Sequence, residues 1–375
     1  SLAPVVQDFK NFIEGDGAVY TAFREMFRQA AASTAAGAAI EDYEELMEVI
    51  DATLMVAPTY RPGPSAMVAG VPFYGIIARF CNTPAGYEAF THPGVNARFC
   101  AVFTEWHAFL LSPESAEVIV PEPEAGGWLS PEALDAMVQS AGGDPKLEKF
   151  QDFYVCDPSA EHYGFTSYDE FFVRELLPHR WDPELPNNPE IVNSPCSSTV
   201  HKLYRNLAHT DRFYIKNTPY SLSHMLAGDA RVDDFVGGTL LQAMLGSLDY
   251  HGWRSPVRGT VVGTRLISGM EHLDGVPPAP HPTYYAACLD NNRTDLDVVS
   301  RSQDFVSAIS TRALIFIQAE EPVGLVCFVG VGLGEVSTCK IVVKEGDLLE
   351  KGSKLGDFHF GGSTYCLIFR PGLNV

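Results

Sequence analysis

Apolar positions in the first 150 residues recur with the period of an amphipathic helix. Two segments, which begin at Phe9 and at Tyr43, carry large apolar residues every three to four positions. Ser130 and Pro131 begin a third helical segment, because serine is a favoured N-cap and proline suits the first helical position. The pattern therefore predicts a helical N-terminal domain over residues 1–150, which we interpret as a scaffold, lid or oligomerisation domain.

The pattern changes over residues 151–190, which we interpret as a linking helix at residues 168–177 and a proline-rich connection. From residue 191 onward, short apolar runs are separated by glycine and proline, which is typical of a mostly antiparallel sheet or barrel. The predicted strands are residues 199–204, 259–267, 313–317, 323–329 and 339–343. Residues 240–248 form a helix-like apolar run. The sequence thus predicts an α+β protein whose β-rich core covers residues 191–375.

Composition and charge are those of an ordinary globular protein with a sizeable core. Of the 375 residues, 46% are hydrophobic and 19% are charged. The net charge of −21 argues against nucleic acid or an anionic membrane as a partner, because both bind basic surfaces. No apolar run has the length of a membrane span. We expect a small-molecule substrate as the partner, and a homo-oligomer is an open expectation.

The eight cysteines form no CxxC pair and no zinc-like spacing, and the scattered acidic residues offer no metal cluster. Some cysteines lie in apolar runs, as Cys327 does, where cysteine behaves as a small hydrophobe. We therefore expect a reduced, cytoplasmic protein without a metal site. No signal peptide is visible at Ser1, but a removed leader and a longer C-terminus are both compatible with the sequence.

Two glycine-rich segments lie in the β region. The segment from Gly330 to Gly334 lacks full dinucleotide-binding spacing, so we interpret it as a sheet turn. The segment Phe358-His-Phe-Gly-Gly-Ser363 follows a predicted strand, and its glycines let the backbone and a hydroxyl approach each other closely. A Gly362–Ser363 bond in such a place can be strained until the hydroxyl attacks the preceding carbonyl. The alternative, favoured by spacing alone, is a turn that closes a β-hairpin.

Two polar clusters are the other candidates for chemistry. One is a proline turn at residues 193–199, and the other places His251, Arg254 and Ser255 within five residues. Histidine titrates near neutral pH, and arginine is a fixed cation suited to holding a carboxylate. The alternative is a loop whose polar side chains satisfy backbone groups.

Four motifs in order resemble the phosphatidylserine decarboxylase family, in particular its soluble fungal branch. They are Phe171-Phe-Val-Arg174, Ser194-Pro-Cys-Ser-Ser-Thr-Val200, Asp249-Tyr-His-Gly-Trp-Arg-Ser-Pro-Val257 and Lys351-Gly-Ser-Lys-Leu-Gly-Asp-Phe-His-Phe-Gly-Gly-Ser-Thr364. The resemblance covers residues 165–375 by motif and the helical region by architecture. It implies a lyase that acts on a small soluble amino acid or related carboxylate; phosphatidylserine itself is not expected, since no basic amphipathic segment is visible.

In that family, the serine of the Gly-Ser motif attacks the preceding carbonyl, and the chain is cut autocatalytically. The resemblance implies that Ser363, after Gly362, becomes a pyruvoyl group, which condenses with the substrate amine and accepts electrons when CO₂ leaves. It gives His251 the role of proton donor to the resulting carbanion. Ser197, His359 and Ser255 are then candidates for substrate binding.

The sequence departs from the family at the self-cleavage base, which is an acidic residue paired with a histidine. Ser197 stands at the acidic position and Arg254 at the histidine position. An arginine stays protonated at physiological pH and cannot accept the serine proton. Three hypotheses therefore stay open. The first is a decarboxylase in which another base serves Ser363. The second is an unprocessed homologue without a cofactor, which uses His251 and Arg254 for acyl transfer, cyclisation or another secondary-metabolite step, and the third is a binding protein.

Overall fold

A computed structural model describes residues 1–33, 40–62, 71–210, 220–267, 302–336, 338–361 and 363–375. The first part of the chain is helical, as predicted. Its helices are α1 (Pro4–Gly15), α2 (Gly17–Ser33), α3 (Tyr43–Thr53), α4 (Pro72–Cys81), α5 (Pro84–Thr91), α6 (Pro93–Leu110) and α7 (Pro131–Ser140). Within the described ranges, three shorter helices follow, namely α8 (Tyr168–Phe172), α9 (Leu222–Met225) and α10 (Gln303–Ile309).

Proline marks the start of several of these helices, because its fixed φ suits the first helical position, where its missing N–H is not needed. Helices α4 to α7 each begin with proline. Pro72, for example, is the first residue of α4. The Ser130 hydroxyl accepts from the backbone N–H of Ala133, so the predicted N-cap is confirmed.

The β region contains a seven-stranded antiparallel sheet in the order β1-β2-β10-β6-β5-β4-β8. Its strands are β1 (Thr199–Arg205), β2 (Thr239–Leu245), β4 (Gly259–Ile267), β5 (Arg312–Ala319), β6 (Leu325–Gly332), β8 (Leu348–Leu349) and β10 (Ser363–Phe369). A three-stranded sheet contains β3 (Gly252–Arg254), β9 (Lys354–Phe358) and β7 (Cys339–Ile341), in the order β3-β9-β7. The predicted α+β class is therefore confirmed.

The central strands β5, β6 and β10 of the large sheet are buried on both faces, which explains why they are almost continuously apolar. Along β10, Cys366 and Ile368 pack into one hydrophobic cluster, whereas Tyr365 and Leu367 pack into a second. This alternation follows from the two-residue period of a strand. A third cluster lies among the N-terminal helices and extends to Phe360.

Glu335 joins the helical region to the β region. Its buried carboxylate accepts from the backbone N–H groups of Phe73 and Tyr74, at 2.8 and 3.1 Å, in the first turn of α4. Its backbone carbonyl lies 2.6 Å from Nε2 of His107 in α6. A carboxylate at a helix N-terminus satisfies donors that have no partner within the helix.

Three local predictions are wrong. Residues 240–248 are not helix-like, because β2 pairs along its length with β1 and β10. The helix predicted at residues 168–177 ends at Phe172, since the next residues form backbone hydrogen bonds with residues 153–155. The glycine run at residues 330–334 is not wholly a turn, because its first three residues belong to β6.

The segment after β9 does not close a hairpin, because β9 and β10 belong to different sheets. The cysteines in the described residues are all free, and Cys288 lies outside those residues. No helix in the described part of the chain is long and apolar enough to cross a membrane. The division into domains at residues 150 and 190 stays a prediction.

Candidate active site

Direct hydrogen bonds join the four sequence motifs. Nη2 of Arg174 donates to the carbonyls of Leu248 and Asp249, at 2.8 and 3.4 Å, and the Arg254 backbone N–H donates to the carbonyl of Pro195 at 2.8 Å. The Phe358 backbone N–H donates to the carbonyl of His251 at 3.0 Å. The fold therefore brings together segments that lie far apart in the sequence.

Tyr365, the third residue of strand β10, fixes the proline turn that carries Ser197. The Tyr365 hydroxyl lies 3.2 Å from the hydroxyls of both Ser194 and Ser198. Tyr365 follows Ser363 by two residues, and Ser197 is half-buried between its two bonded neighbours. The proline turn and the first residues of β10 are thus held in one place.

His251 is fully buried beside the end of α8. Its ring centroid lies 4.1 Å from that of Phe172. Neither ring nitrogen has a hydrogen-bond partner among the described residues. Burial, with a further contribution from the charge of Arg174, lowers the pKa of His251 to about 3. The imidazole is therefore neutral at physiological pH, and its two nitrogens have no partner of good geometry in the described part of the chain, although the Asp249 backbone acts to raise the pKa.

Arg254 lies in a network of charged and polar side chains. One of its terminal nitrogens donates to Glu175 at 3.3 Å and to the Tyr250 hydroxyl at 3.1 Å. Tyr250 donates in turn to Glu175, which also forms an ion pair with Lys354. Nε of Arg254 is buried and has no partner among the described residues. The guanidinium is thus a held cation whose buried Nε–H has no acceptor among the residues that the structure describes.

Ser363 is the first residue of β10 and is almost fully buried. Its hydroxyl donates to the carbonyl of Gly361 at 3.4 Å, so it points back toward the chain that precedes it. Gly362, the other half of the predicted scissile bond, lies outside the described residues. Phe360 has a φ of +71°, a left-handed conformation that is strained for a bulky side chain.

Ser255 belongs to a turn and does not contact the other candidates. Its buried hydroxyl donates to the carbonyl of Val257 at 2.7 Å, and its backbone N–H donates to Ser353, also at 2.7 Å. The side chain is therefore engaged locally, and a role for Ser255 in substrate binding stays a prediction without a supporting contact.

His359 lies beside a cleft of about 520 Å³, which is lined mainly by apolar atoms. Its Nδ1 is 2.9 Å from Oδ2 of Asp169, which is almost fully buried. The next residue, Phe360, also lines the cleft and stacks on His107 with 3.9 Å between ring centroids. Burial lowers the pKa of His107 to about 4.

Asp169, Glu175 and His107 were not identified as site residues from the sequence. Asp169 and Glu175 lie just outside the motif Phe171–Arg174, and charged residues in an amphipathic helix are usually exposed. His107 is a lone histidine in a helix more than 200 residues before its partner in sequence. Spacing in the sequence does not relate these three residues to their partners, so only the fold could reveal the contacts.

The α+β fold and the joined motifs define a decarboxylase-type carbon–carbon lyase. The chain belongs to the phosphatidylserine decarboxylase family: residues 168–375 match the phosphatidylserine decarboxylase model, and residues 3–137 match a second model of the same description. The family resemblance and the prediction of an enzyme are therefore confirmed.

The chain is similar to several fungal proteins along most of its length. It is 38% identical to decarboxylase iboD of Amanita muscaria over 307 residues, which cover 80% of this chain and 84% of that protein. It is 33% identical to the L-tryptophan decarboxylase of Psilocybe cubensis over 376 residues, which cover 98% of this chain and 81% of that protein. A shorter match, 31% identical over 208 residues, is to phosphatidylserine decarboxylase proenzyme 3 of Schizosaccharomyces pombe, covering 56% of this chain and 19% of that protein.

Proposed function

We propose that this protein is a decarboxylase of a small soluble amino acid or related carboxylate, dependent on a pyruvoyl group made from Ser363. The observation that carries the proposal is His251, which is fully buried with both ring nitrogens unpartnered in the described residues. A buried polar group without a partner costs free energy and is retained where function requires it. His251 occupies the motif position that family resemblance associates with decarboxylation.

The residues around Ser363 fit the formation of such a group. The Ser363 hydroxyl is buried, points back along the chain and follows a strained Phe360. Its position at the start of β10 is fixed on both sides by pairing with Leu245 and Gly332. When present, a pyruvoyl group supplies an electron sink for the loss of CO₂ from the substrate.

The chain's own residues would bind the substrate and control its protons. The neutral imidazole of His251 can hydrogen-bond a substrate atom in an enclosure that excludes water. The cleft beside His359 offers apolar walls of a size suited to a small molecule. Two relatives named L-tryptophan decarboxylase support an amino acid substrate.

Arg254 favours a second candidate function, in which the chain stays uncut. A guanidinium held by Glu175 and Tyr250 cannot act as the base that family members use at this position. Its free Nε could instead hold the carboxylate of a metabolite beside His251. Ser363 would then act as a hydroxyl donor or as an acyl-accepting nucleophile.

The intact mass of the purified protein under denaturing conditions distinguishes the two functions. Loss of the segment from Ser363 onward, with a blocked new terminus, supports pyruvoyl formation; the name proenzyme given to the S. pombe relative points the same way. A single full-length mass refutes the first function. A Ser363→Ala variant is the matched control, since it removes the hydroxyl and should stay full length.

A decarboxylation assay then tests the proposed reaction. We expect release of CO₂ from one member of an amino acid panel, suppressed by hydroxylamine or borohydride, which attack a carbonyl group. Activity that is insensitive to both reagents would refute a pyruvoyl mechanism. A reducing, cytoplasmic location is part of the same proposal and is supported by the free cysteines in the described residues.

A further inference from the structure

Asp169 and His359 form a carboxylate–imidazole pair at the edge of the cleft. Oδ2 of Asp169 lies 2.9 Å from Nδ1 of His359. The Asp169 side chain is 5% exposed, and its Oδ1 has no hydrogen-bond partner among the described residues. A histidine bonded through one ring nitrogen has a fixed orientation and presents the other nitrogen to its surroundings. Nε2 of His359 is therefore the atom available to a ligand.

The exposure of His359 differs from that of His251 in a way that matters for proton transfer. His359 is 18% exposed in its side chain and lines the cleft, whereas His251 is 0% exposed. A group that gives a proton in each turnover must recover one from solvent. His359 can do so through the cleft, and the enclosed His251 has no such access in the described structure.

Helix α8 places this pair next to the proposed site. Asp169 and Phe172 are three residues apart, so they lie on the same face of the helix. Asp169 contacts His359, and Phe172 contacts the ring of His251. Backbone bonding between Phe358 and His251 holds the two histidine-bearing segments together. Both imidazoles thus border the same short helix.

We propose that the Asp169–His359 pair transfers protons to the ligand bound in this cleft, with His359 as a catalytic acid and Asp169 as its positioning residue. The inference rests on the proposed decarboxylase function. When the carbon–carbon bond to the carboxylate breaks, CO₂ leaves and the electron pair stays with the substrate. The α-carbon then takes the Nε2 proton of the doubly protonated His359 ring, whose Nδ1–H stays bonded to Asp169, and the resulting neutral imidazole is reprotonated by solvent through the cleft.

The variants His359→Gln, His359→Ala and Asp169→Asn test this assignment, with His162→Gln as the matched control. His162 is also bonded through Nδ1 to an oxygen and is 25% exposed in its side chain, but it lies beside a different cleft. Intact mass is measured first for each protein. All four variants should be processed like the wild type, and a full-length mass for the His359 variants would overturn the proposal in favour of a role in processing.

We expect kcat to fall about 10²–10⁴-fold in His359→Gln, the size usual for loss of an acid–base group. Asp169→Asn should lower kcat with little change in KM, and His162→Gln should match the wild type. Added imidazole should restore part of the turnover of His359→Ala, because it can enter from the cleft. Turnover of His359→Gln within about tenfold of wild type, or no rescue by imidazole, would overturn the role.

A labelling experiment on the wild type needs no substrate. Diethyl pyrocarbonate should modify His359 and leave His251 unmodified, as mapped by peptide mass, and an unmodified His359 would overturn the proposal. The proposed decarboxylase function and the proposed role of His359 can be refuted independently. Absence of CO₂ release by the wild type refutes the proposed function, whereas release that persists in His359→Gln refutes only the role of His359.

Discussion

Replacing His251 by leucine should abolish activity while preserving or increasing stability. Leucine is close to histidine in volume and retains the apolar contact with Phe172. An unsatisfied buried polar group costs about 1–3 kcal/mol, and the substitution removes both unpartnered nitrogens. At about pH 7 the free energy of unfolding of His251→Leu should therefore equal that of the wild type or exceed it by up to about 3 kcal/mol.

At acid pH, the difference in free energy of unfolding between His251→Leu and the wild type should increase. The folded-state pKa of His251 is depressed from 6.5 to about 3, so the unfolded chain takes up a proton that the folded chain does not. Stability is therefore lost as the pH falls from about 6.5 toward about 3. Because one pKa unit is worth about 1.4 kcal/mol, the wild type should lose about 3 kcal/mol between about pH 7 and about pH 4.5 through this group alone. His251→Leu should lack that loss.

Urea denaturation at both pH values measures the free energy of unfolding of the wild type and of His251→Leu. The slope of free energy against urea concentration should be the same for the two proteins. A loss of more than about 1 kcal/mol in His251→Leu at neutral pH would show that the imidazole is satisfied rather than unpartnered. Equal acid sensitivity of the two proteins would show that His251 is not buried in its neutral form. Turnover of His251→Leu should be abolished, because leucine cannot form the hydrogen bond to the substrate that the imidazole would supply.

Three further predictions concern processing and stability. The double variant Arg254→His with Ser197→Asp restores the family's base and should speed conversion to the cut form by about 10²–10⁴-fold, followed by intact mass over time. Glu335→Gln weakens charged hydrogen bonds to the first turn of α4 and should lower the free energy of unfolding by about 1–3 kcal/mol, measured in urea. Gly356→Ala places a Cβ 2.1 Å from the carbonyl oxygen of Lys340 and should lower Tm by several degrees, by scanning calorimetry, at a cost of about 1–3 kcal/mol.

Local patterns were sufficient to predict helices and strands whose buried positions recur with the period of that helix or strand. The strand at residues 259–267 has the predicted bounds, and the N-cap at Ser130 is confirmed. The apolar run at residues 240–248 was misassigned because a strand buried on both faces lacks the polar alternation that separates it from a buried helix. Its neighbours β1 and β10, which are distant in sequence, determine its conformation.

The candidate site was predictable only where a motif is contiguous. His251, Arg254 and Ser363 could be named because each lies in a motif that resembles a family pattern. The partners of these residues come from other parts of the fold. Glu175 reaches Arg254 across 79 positions, and Asp169 reaches His359 across 190. Pairing over such separations depends on tertiary structure, which sequence spacing does not encode.

The location of Ser363 at the start of β10 has a mechanical consequence. β10 lies inside the seven-stranded sheet and pairs along its whole length with β2 on one side and β6 on the other. If the bond before Ser363 were cut, residues 363–375 would remain in the sheet as a separate polypeptide, retained by hydrogen bonds and buried side chains. The protein would then be a two-chain complex. A synthetic peptide of residues 363–375 should be able to bind a chain truncated before Ser363 and complete its sheet.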